Sequence, residues 1–174
     1  PPWQGGGEMI DNVDLESSTY AEPPGRFEAG TPAIAECIGL GAACDYLAGI
    51  GMDKVHEHEK LLSDYLYEKL HKVAGVTVYG PKPSDQADGR AALAAFNHVS
   101  IQHSDLSTFM DMEGVAIRSG HHCTQPLHKL LGVSGSCRAS CYLYSTYADI
   151  DAFIDSLQGT IAMFASLDQD QQED

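Results

Sequence analysis

Basic residues are scarce in this sequence: 10 Lys and Arg stand against 25 Asp and Glu, for a formal charge of −15 over 174 residues. Such a surface repels phosphate backbones and argues against nucleic acid as the main partner. The acids are spread along the chain apart from the run Asp168 to Asp174, so the charge reads as a solubility feature rather than the mark of a specific basic partner. Long apolar runs are also missing. Nothing approaches the roughly 20 residues that a membrane span requires, and the N-terminus has neither the basic start nor the apolar stretch of a signal peptide. The expectation is a soluble domain without membrane contact. A disulfide framework is unsupported as well. The five cysteines, at 37, 44, 123, 137 and 141, are odd in number and sit in a chain long enough to build a core. A reducing compartment fits them better. No internal repeat is present.

The chain opens on Pro1-Pro2-Trp3 without an initiator Met and reads as the continuation of something longer. Residues 1–32 are punctuated by Gly5-Gly6-Gly7, Pro23-Pro24-Gly25 and Gly30-Thr31-Pro32, which predicts an extended loop system. From there Thr31 suits a helix cap and Pro32 a first turn, with Ile34, Ile38, Gly41 and Tyr46 at helical spacing. Cys37 and Cys44, seven apart, are expected on the buried stripe of that helix. A second helix is predicted from about Asp53 to Ala74, striped by Val55, Leu62, Leu66, Leu70 and Val73. Strands are expected at Val76 to Tyr79, Ala95 to Gln102, Val115 to Arg118 and Ala139 to Ser145. A surface loop covers Lys82 to Arg90, and a short helix runs from Asp105 to Glu113 with Ser104 as cap. Ile150, Phe153, Ile154, Leu157, Ile161 and Phe164 stripe a last helix. This mixture predicts an α/β fold, a mostly antiparallel sheet with helices over one face. Three segments are expected: 1–32, a small α/β domain over 33–167, and a disordered acidic tail over 168–174.

The stretch that carries chemistry is Arg118-Ser119-Gly120-His121-His122-Cys123-Thr124-Gln125-Pro126-Leu127-His128. A thiol acts as a nucleophile through its thiolate, which nearby cationic groups favour, and Arg118, His121 and His122 lie within five residues of Cys123. Gly120 permits an unusual backbone turn and Pro126 stiffens the exit, so Cys123 is expected on a loop. Two other readings stand beside this one. Cys123 is also compatible with a buried core position, and His121, His122, Cys123 and His128 with ligation of a structural zinc. Against zinc, adjacent residues rarely both reach one tetrahedral centre, and no paired Cys-x-x-Cys completes the set. The expectation is no metal. Cys137 and Cys141, four apart in a predicted strand, should share a buried face.

Four segments together resemble the SufS-like (group II) cysteine desulfurases. They are the run Arg118 to His128, the segment Arg26-Phe27-Glu28-Ala29-Gly30-Thr31-Pro32, the opening Pro1 to Ile10, and Arg138-Ala139-Ser140 with Tyr144-Ser145-Thr146. The wording around Gly114 to Arg118 and Gln125 to His128 is most similar to plastid and cyanobacterial members. The resemblance implies the C-terminal portion of a fold-type I aminotransferase-like enzyme: the end of the large domain and the whole small domain. It implies pyridoxal 5'-phosphate as cofactor and electron sink, L-cysteine as substrate, and a homodimer. It also implies a sulfur-acceptor protein of the SufE or SufU type and a plastid stroma or bacterial cytoplasm.

Carried over by position, Cys123 is the persulfide-forming nucleophile and Arg138 the clamp on the substrate carboxylate. Arg118 supports the substrate, and His121 and His122 flank the nucleophile. Gly5 and Thr31 reach across the dimer to the cofactor phosphate. The cofactor lysine belongs upstream of Pro1, so the chain alone is expected to be inactive. Two further readings are a stand-alone sulfur-carrier or docking module and a selenocysteine lyase.

Overall fold

The computed structural model describes residues 1–83 and 90–170. It divides into two compact units, Pro1–Met52 and Asp53–Asp174. The division falls after the first long helix and not at 32/33, where the sequence reading set it. Among the described residues no single helix is long and apolar enough to cross a membrane.

The N-terminal unit is more regular than its Pro and Gly content predicts. Strands β1 (Ile10–Val13) and β2 (Ser18–Tyr20) form an antiparallel hairpin. Its turn is closed by the Asp14 amide donating to the Ser17 carbonyl at 2.8 Å. The strands are short and mostly exposed, so no apolar alternation announces them. Met9, fully buried, accepts from the Ala21 amide through its carbonyl at 2.9 Å and extends the ladder. Helix α1 (Ile34–Ile50) follows, with Ala33 as N-cap and no side-chain cap. Thr31 therefore does not cap it. No residue of α1 is buried, and Cys37 and Cys44 are exposed. A seven-residue spacing does place the two thiols on one side of a helix, but it says nothing of what covers that side.

The second unit is built on a four-stranded sheet in the order β3-β4-β6-β5, with every neighbouring pair antiparallel. Its strands are β3 (Val76–Tyr79), β4 (Leu93–His98), β5 (Arg118–Gly120) and β6 (Ser136–Ser140). Helices α2 (Met52–His71), α3 (His103–Met112) and α5 (Tyr147–Asp170) contribute the apolar stripes, and α4 (Gln125–Leu131) bridges β5 to β6. The fold class is thus α/β with an antiparallel sheet and helices, as expected.

Alternation in the strands sets the two faces of the sheet. Ala94 and Phe96 of β4 and Cys137 and Ala139 of β6 point into the core. There they join Leu62, Leu66 and Leu70 of α2, Leu106 and Met110 of α3, and Ile150, Phe153, Ile154 and Leu157 of α5. The Phe96 and Phe153 rings meet edge to face at 5.7 Å. The opposite parity carries Ala95, Ser136, Arg138 and Arg118.

Several boundaries differ from expectation. β6 lies three residues earlier than Ala139 to Ser145, so Cys137 is fully buried in the strand while Cys141 stands half-buried just beyond it. β5 lies three residues later than expected, because Val115 and Ile117 pack against the core before the strand begins. α3 starts at His103 with Gln102 as N-cap, so Ser104 is inside it. α5 runs to Asp170, so the first three residues of the tail expected to be disordered from Asp168 are helical. Residues 171–174, and 84–89 of the Lys82 to Arg90 loop, lie outside the described residues.

Candidate functional site

β5 ends at Gly120 with φ 115, and the chain then makes a tight reversal into α4. His122 and Cys123 sit at its centre with φ 51 and 61. Two consecutive non-glycine residues in the left-handed region are held at a cost of about 1 to 3 kcal/mol each. The surroundings over-determine them. The Thr124 amide donates to the His121 carbonyl at 2.8 Å and closes the turn. Thr124 is the residue before α4, where a hydroxyl ordinarily caps the helix. Here the hydroxyl turns back and donates to the same His121 carbonyl at 2.8 Å, leaving α4 without a side-chain cap. Cys123, between these contacts, is exposed.

Ser136 of β6 anchors the turn. Its carbonyl lies 3.0 Å from His122 Nε2. A carbonyl only accepts, so Nε2 carries the proton and Nδ1 is the bare acceptor, and that Nδ1 is buried without a partner. Burial, chiefly, holds the His122 pKa below its ordinary value despite the opposing bond to Ser136; the nearby charges of Arg138 and Arg118 lower it further. His122 is therefore a neutral ring at pH 7 and lends no positive charge to the thiol.

Two arginines lie on the neighbouring strands. Arg118 and Arg138 are direct cross-strand partners on the open face of the sheet. Arg118 is exposed, Arg138 is half-buried, and Arg138 Nε has no partner although it is shielded from solvent. From Gly114 to Ala148 the sequence contains no Asp or Glu. The loop thus sits in a cationic stretch of a strongly acidic chain, and a carboxylate ligand would find two guanidinium groups without an acidic competitor in that stretch. Among the described residues no three His, Cys, Asp or Glu side chains group to hold a metal.

The other two candidates, Gly5 and Thr31, belong to the N-terminal unit. The Gly30 amide donates to the Gly7 carbonyl at 2.9 Å. Gly6 packs so closely on Ala29 and Gly30 that an added Cβ would lie 3.2 Å from both. This pins the glycine run to the Gly30-Thr31 turn. Thr31 lines an open cleft of about 570 Å³ with Glu8, Glu28, Ala29, Gly30 and Pro32; Gly5 does not line it. Among the described residues the exposed Thr31 hydroxyl has no side-chain hydrogen bond, and Gly5 has nothing within 4 Å of a built Cβ. An exposed hydroxyl and an unobstructed glycine backbone fit the hydrogen-bonding share of a phosphate site. The cationic share is absent from this unit, because its one basic residue, Arg26, is engaged with the Ala21 carbonyl and Glu22.

Sequence reasoning gave His128 no role beyond a possible zinc ligand, and it passed over Ser136. His128 is buried, with Nδ1 3.0 Å from the Thr124 carbonyl and Nε2 3.0 Å from Ser136 Oγ. The four-residue step from Thr124 to His128 marks one helix face and is visible in sequence; the contact with Ser136 is not.

The domain thus carries an exposed thiol on a left-handed turn and two cross-strand guanidinium groups on an antiparallel sheet backed by helices. The family model for class-V aminotransferases matches residues 1–153, and the chain belongs to that family. A probable cysteine desulfurase of Synechocystis sp. is 52% identical over 168 residues, which cover 97% of this chain and 40% of that protein. The cysteine desulfurase of Haloferax volcanii is 45% identical over 164 residues, 94% of this chain and 38% of that protein. The crystal structure of an Escherichia coli cysteine desulfurase with an S-sulfonic acid superimposes with a TM-score of 0.78 at 33% identity, covering 93% of this chain and 39% of the other. The chain spans about two fifths of the length of the relatives it matches.

Proposed function

We propose that the chain is the C-terminal part of a SufS-like, pyridoxal-phosphate-dependent cysteine desulfurase, in which Cys123 receives sulfur from L-cysteine as a persulfide for iron-sulfur cluster assembly. The observation that carries this reading is the presentation of Cys123: exposed, at the second left-handed residue of a closed turn, and tied through Ser136 to the strand that bears Arg138. Core cysteines need no such display, as Cys137 illustrates. It is fully buried, and burial alone pushes its thiol up to about 12.

The chemistry follows from these positions. Arg138, with its Nε unpartnered, takes the substrate carboxylate, and Arg118 opposite it adds a second cation that fixes the orientation. The Cys123 thiolate attacks the substrate sulfur. A sulfur–sulfur bond forms as the substrate's carbon–sulfur bond breaks, and the carbon fragment leaves as alanine after gaining a proton. Pyridoxal phosphate, when bound, would supply an electron sink for the carbon fragment. Gly5 and Thr31 would hold its phosphate by hydrogen bonds across a homodimer, and the lysine that would hold the cofactor is expected outside this chain, which alone is expected not to turn over cysteine. His121 and His122 keep the turn in shape. A sulfur acceptor of the SufE or SufU type collects the persulfide, in a plastid stroma or bacterial cytoplasm.

The test uses the full-length enzyme. Cys123→Ala should abolish alanine and persulfide production while leaving cofactor absorbance intact, because the nucleophile acts after the cofactor is in place. Arg138→Ala should mainly raise KM for cysteine by about one to two powers of ten, the loss of a charge-assisted bond of roughly 1.5 to 3 kcal/mol. Near-normal alanine and persulfide production by Cys123→Ala would overturn the reading.

A further inference from the structure

We infer that His128 is a positioning residue for the Cys123 turn, acting through Thr124 and Ser136 without touching substrate; the inference deepens the desulfurase reading and rests on it. Helix α4 is built backwards for a stabilising element. It buries its histidine at 4% exposure while Leu127, Leu130 and Leu131 remain 49%, 83% and 41% exposed. Burying an imidazole in place of a leucine is unfavourable unless both nitrogens are paired, and both are. The Thr124 carbonyl only accepts, so Nδ1 carries the proton and donates to it. Nε2 is then the acceptor, and the Ser136 hydroxyl donates to it.

These two bonds close a circuit around the nucleophile. Thr124 follows Cys123 directly and holds the His121 carbonyl through both its amide and its hydroxyl. Ser136 holds His122, which precedes Cys123, through its carbonyl. The His128 ring therefore ties the residue on one side of Cys123 to the residue on the other. The His121 and His122 rings pack on it at 5.6 and 5.8 Å. Two adjacent left-handed residues relax when their restraints go, and a displacement of about 1 Å at a reacting atom can cost on the order of a hundredfold in rate.

The experiment compares His128→Ala, His128→Asn and Ser136→Ala in the full-length holoenzyme. The Asn amide nitrogen falls where Nδ1 stood and can donate to the Thr124 carbonyl, so it restores one of the two bonds. His128→Ala should lower kcat for alanine formation about ten- to a hundredfold, with KM for cysteine within about twofold and cofactor absorbance unchanged. His128→Asn should recover at least half of that loss on a logarithmic scale. Hydrogen exchange at the Thr124 amide should quicken roughly five- to tenfold in His128→Ala, while the Ala139 amide in β6 stays protected. A kcat within twofold of wild type in His128→Ala, an equal loss in the Asn variant, or a rise in exchange spread evenly over β6 would each overturn the inference. Should His128→Ala fail to fold, His128→Asn and Ser136→Ala decide: a lowered kcat at constant KM in Ser136→Ala supports it, and unchanged kcat in both overturns it. Full activity in Cys123→Ala would instead defeat the desulfurase reading, and the exchange measurement would still report on the turn.

Discussion

Replacing Cys123 by glycine and by alanine separates the strain of the turn from the chemistry of the thiol. Both variants lose the sulfur. Only glycine tolerates φ near 61, the value at this position, since a Cβ in the left-handed region costs roughly 1 to 2 kcal/mol. Glycine gives back part of that gain through the extra freedom of its unfolded chain, about 0.5 to 1 kcal/mol. The net expectation is that Cys123→Gly is more stable than Cys123→Ala by about 0.5 to 1 kcal/mol. The sign is diagnostic because the same exchange elsewhere runs the other way. At Ala162, exposed within α5, alanine to glycine should cost about 1 kcal/mol of helix propensity. Urea unfolding followed by circular dichroism gives both differences from midpoints at matched slopes. If Cys123→Gly proved less stable than Cys123→Ala by as much as Ala162→Gly loses, the turn would not be left-handed, and the account of its strain would fail with it.

Thiol reagents should label Cys37, Cys44 and Cys123 in the folded chain, Cys141 more slowly, and Cys137 only on unfolding. Mass mapping of the labelled peptides checks this order, which follows from exposure and from burial pushing the Cys137 thiol up to about 12. Phe96→Ala, which removes a fully buried ring packed on Phe153, should cost about 3 to 5 kcal/mol by denaturant titration. Thr146→Ala should cost about 1 kcal/mol, because the Thr146 amide and hydroxyl reach Asp149 at 2.7 and 2.8 Å while the hydroxyl accepts from the Asp149 amide at 3.3 Å at the start of α5. Those bonds hold the Asp149 carboxyl below its ordinary pKa. The stabilisation is therefore complete above that value and fades as pH falls through the lower folded pKa, and a stability–pH profile of wild type against Thr146→Ala should converge at the acid end.

Helices α2 and α5 were legible because burial there follows a period that the sequence displays, whereas the stripe expected on α1 is not buried. Val55, Leu62, Leu66, Leu70 and Val73 all lie in the core, as do Ile150, Phe153, Ile154 and Leu157. The strands were legible in existence more than in position. Val115 and Ile117 are apolar because they pack on the core, not because they pair, and Tyr142 to Ser145 alternate through a turn in which Ser145 and Tyr142 bond each other. Apolar letters report burial, and only the ladder reports pairing. The β1–β2 hairpin was invisible because both strands are mostly exposed.

At the site, the run Arg118 to His128 marked Cys123 and Arg118, while Arg138 was marked only by the family resemblance. The run did not announce left-handed backbone at His122 and Cys123, where neither residue is the glycine that φ above zero usually requires. Nor did it reveal Ser136, whose importance depends on a register between β5 and β6 that no local pattern encodes.

The facing arginines have a thermodynamic consequence of their own. Like charges directly opposite each other on an antiparallel pair work against the sheet, and here they lie on the short outer pairing of Arg118–Gly120 with Ser136–Ser140. An anion seated between them removes the repulsion and satisfies the idle Arg138 Nε, so its binding energy is felt as folding energy of that edge. On the proposed reading the domain is least stable when that site is empty, and carboxylate binding should tighten the hold of β5 on β6.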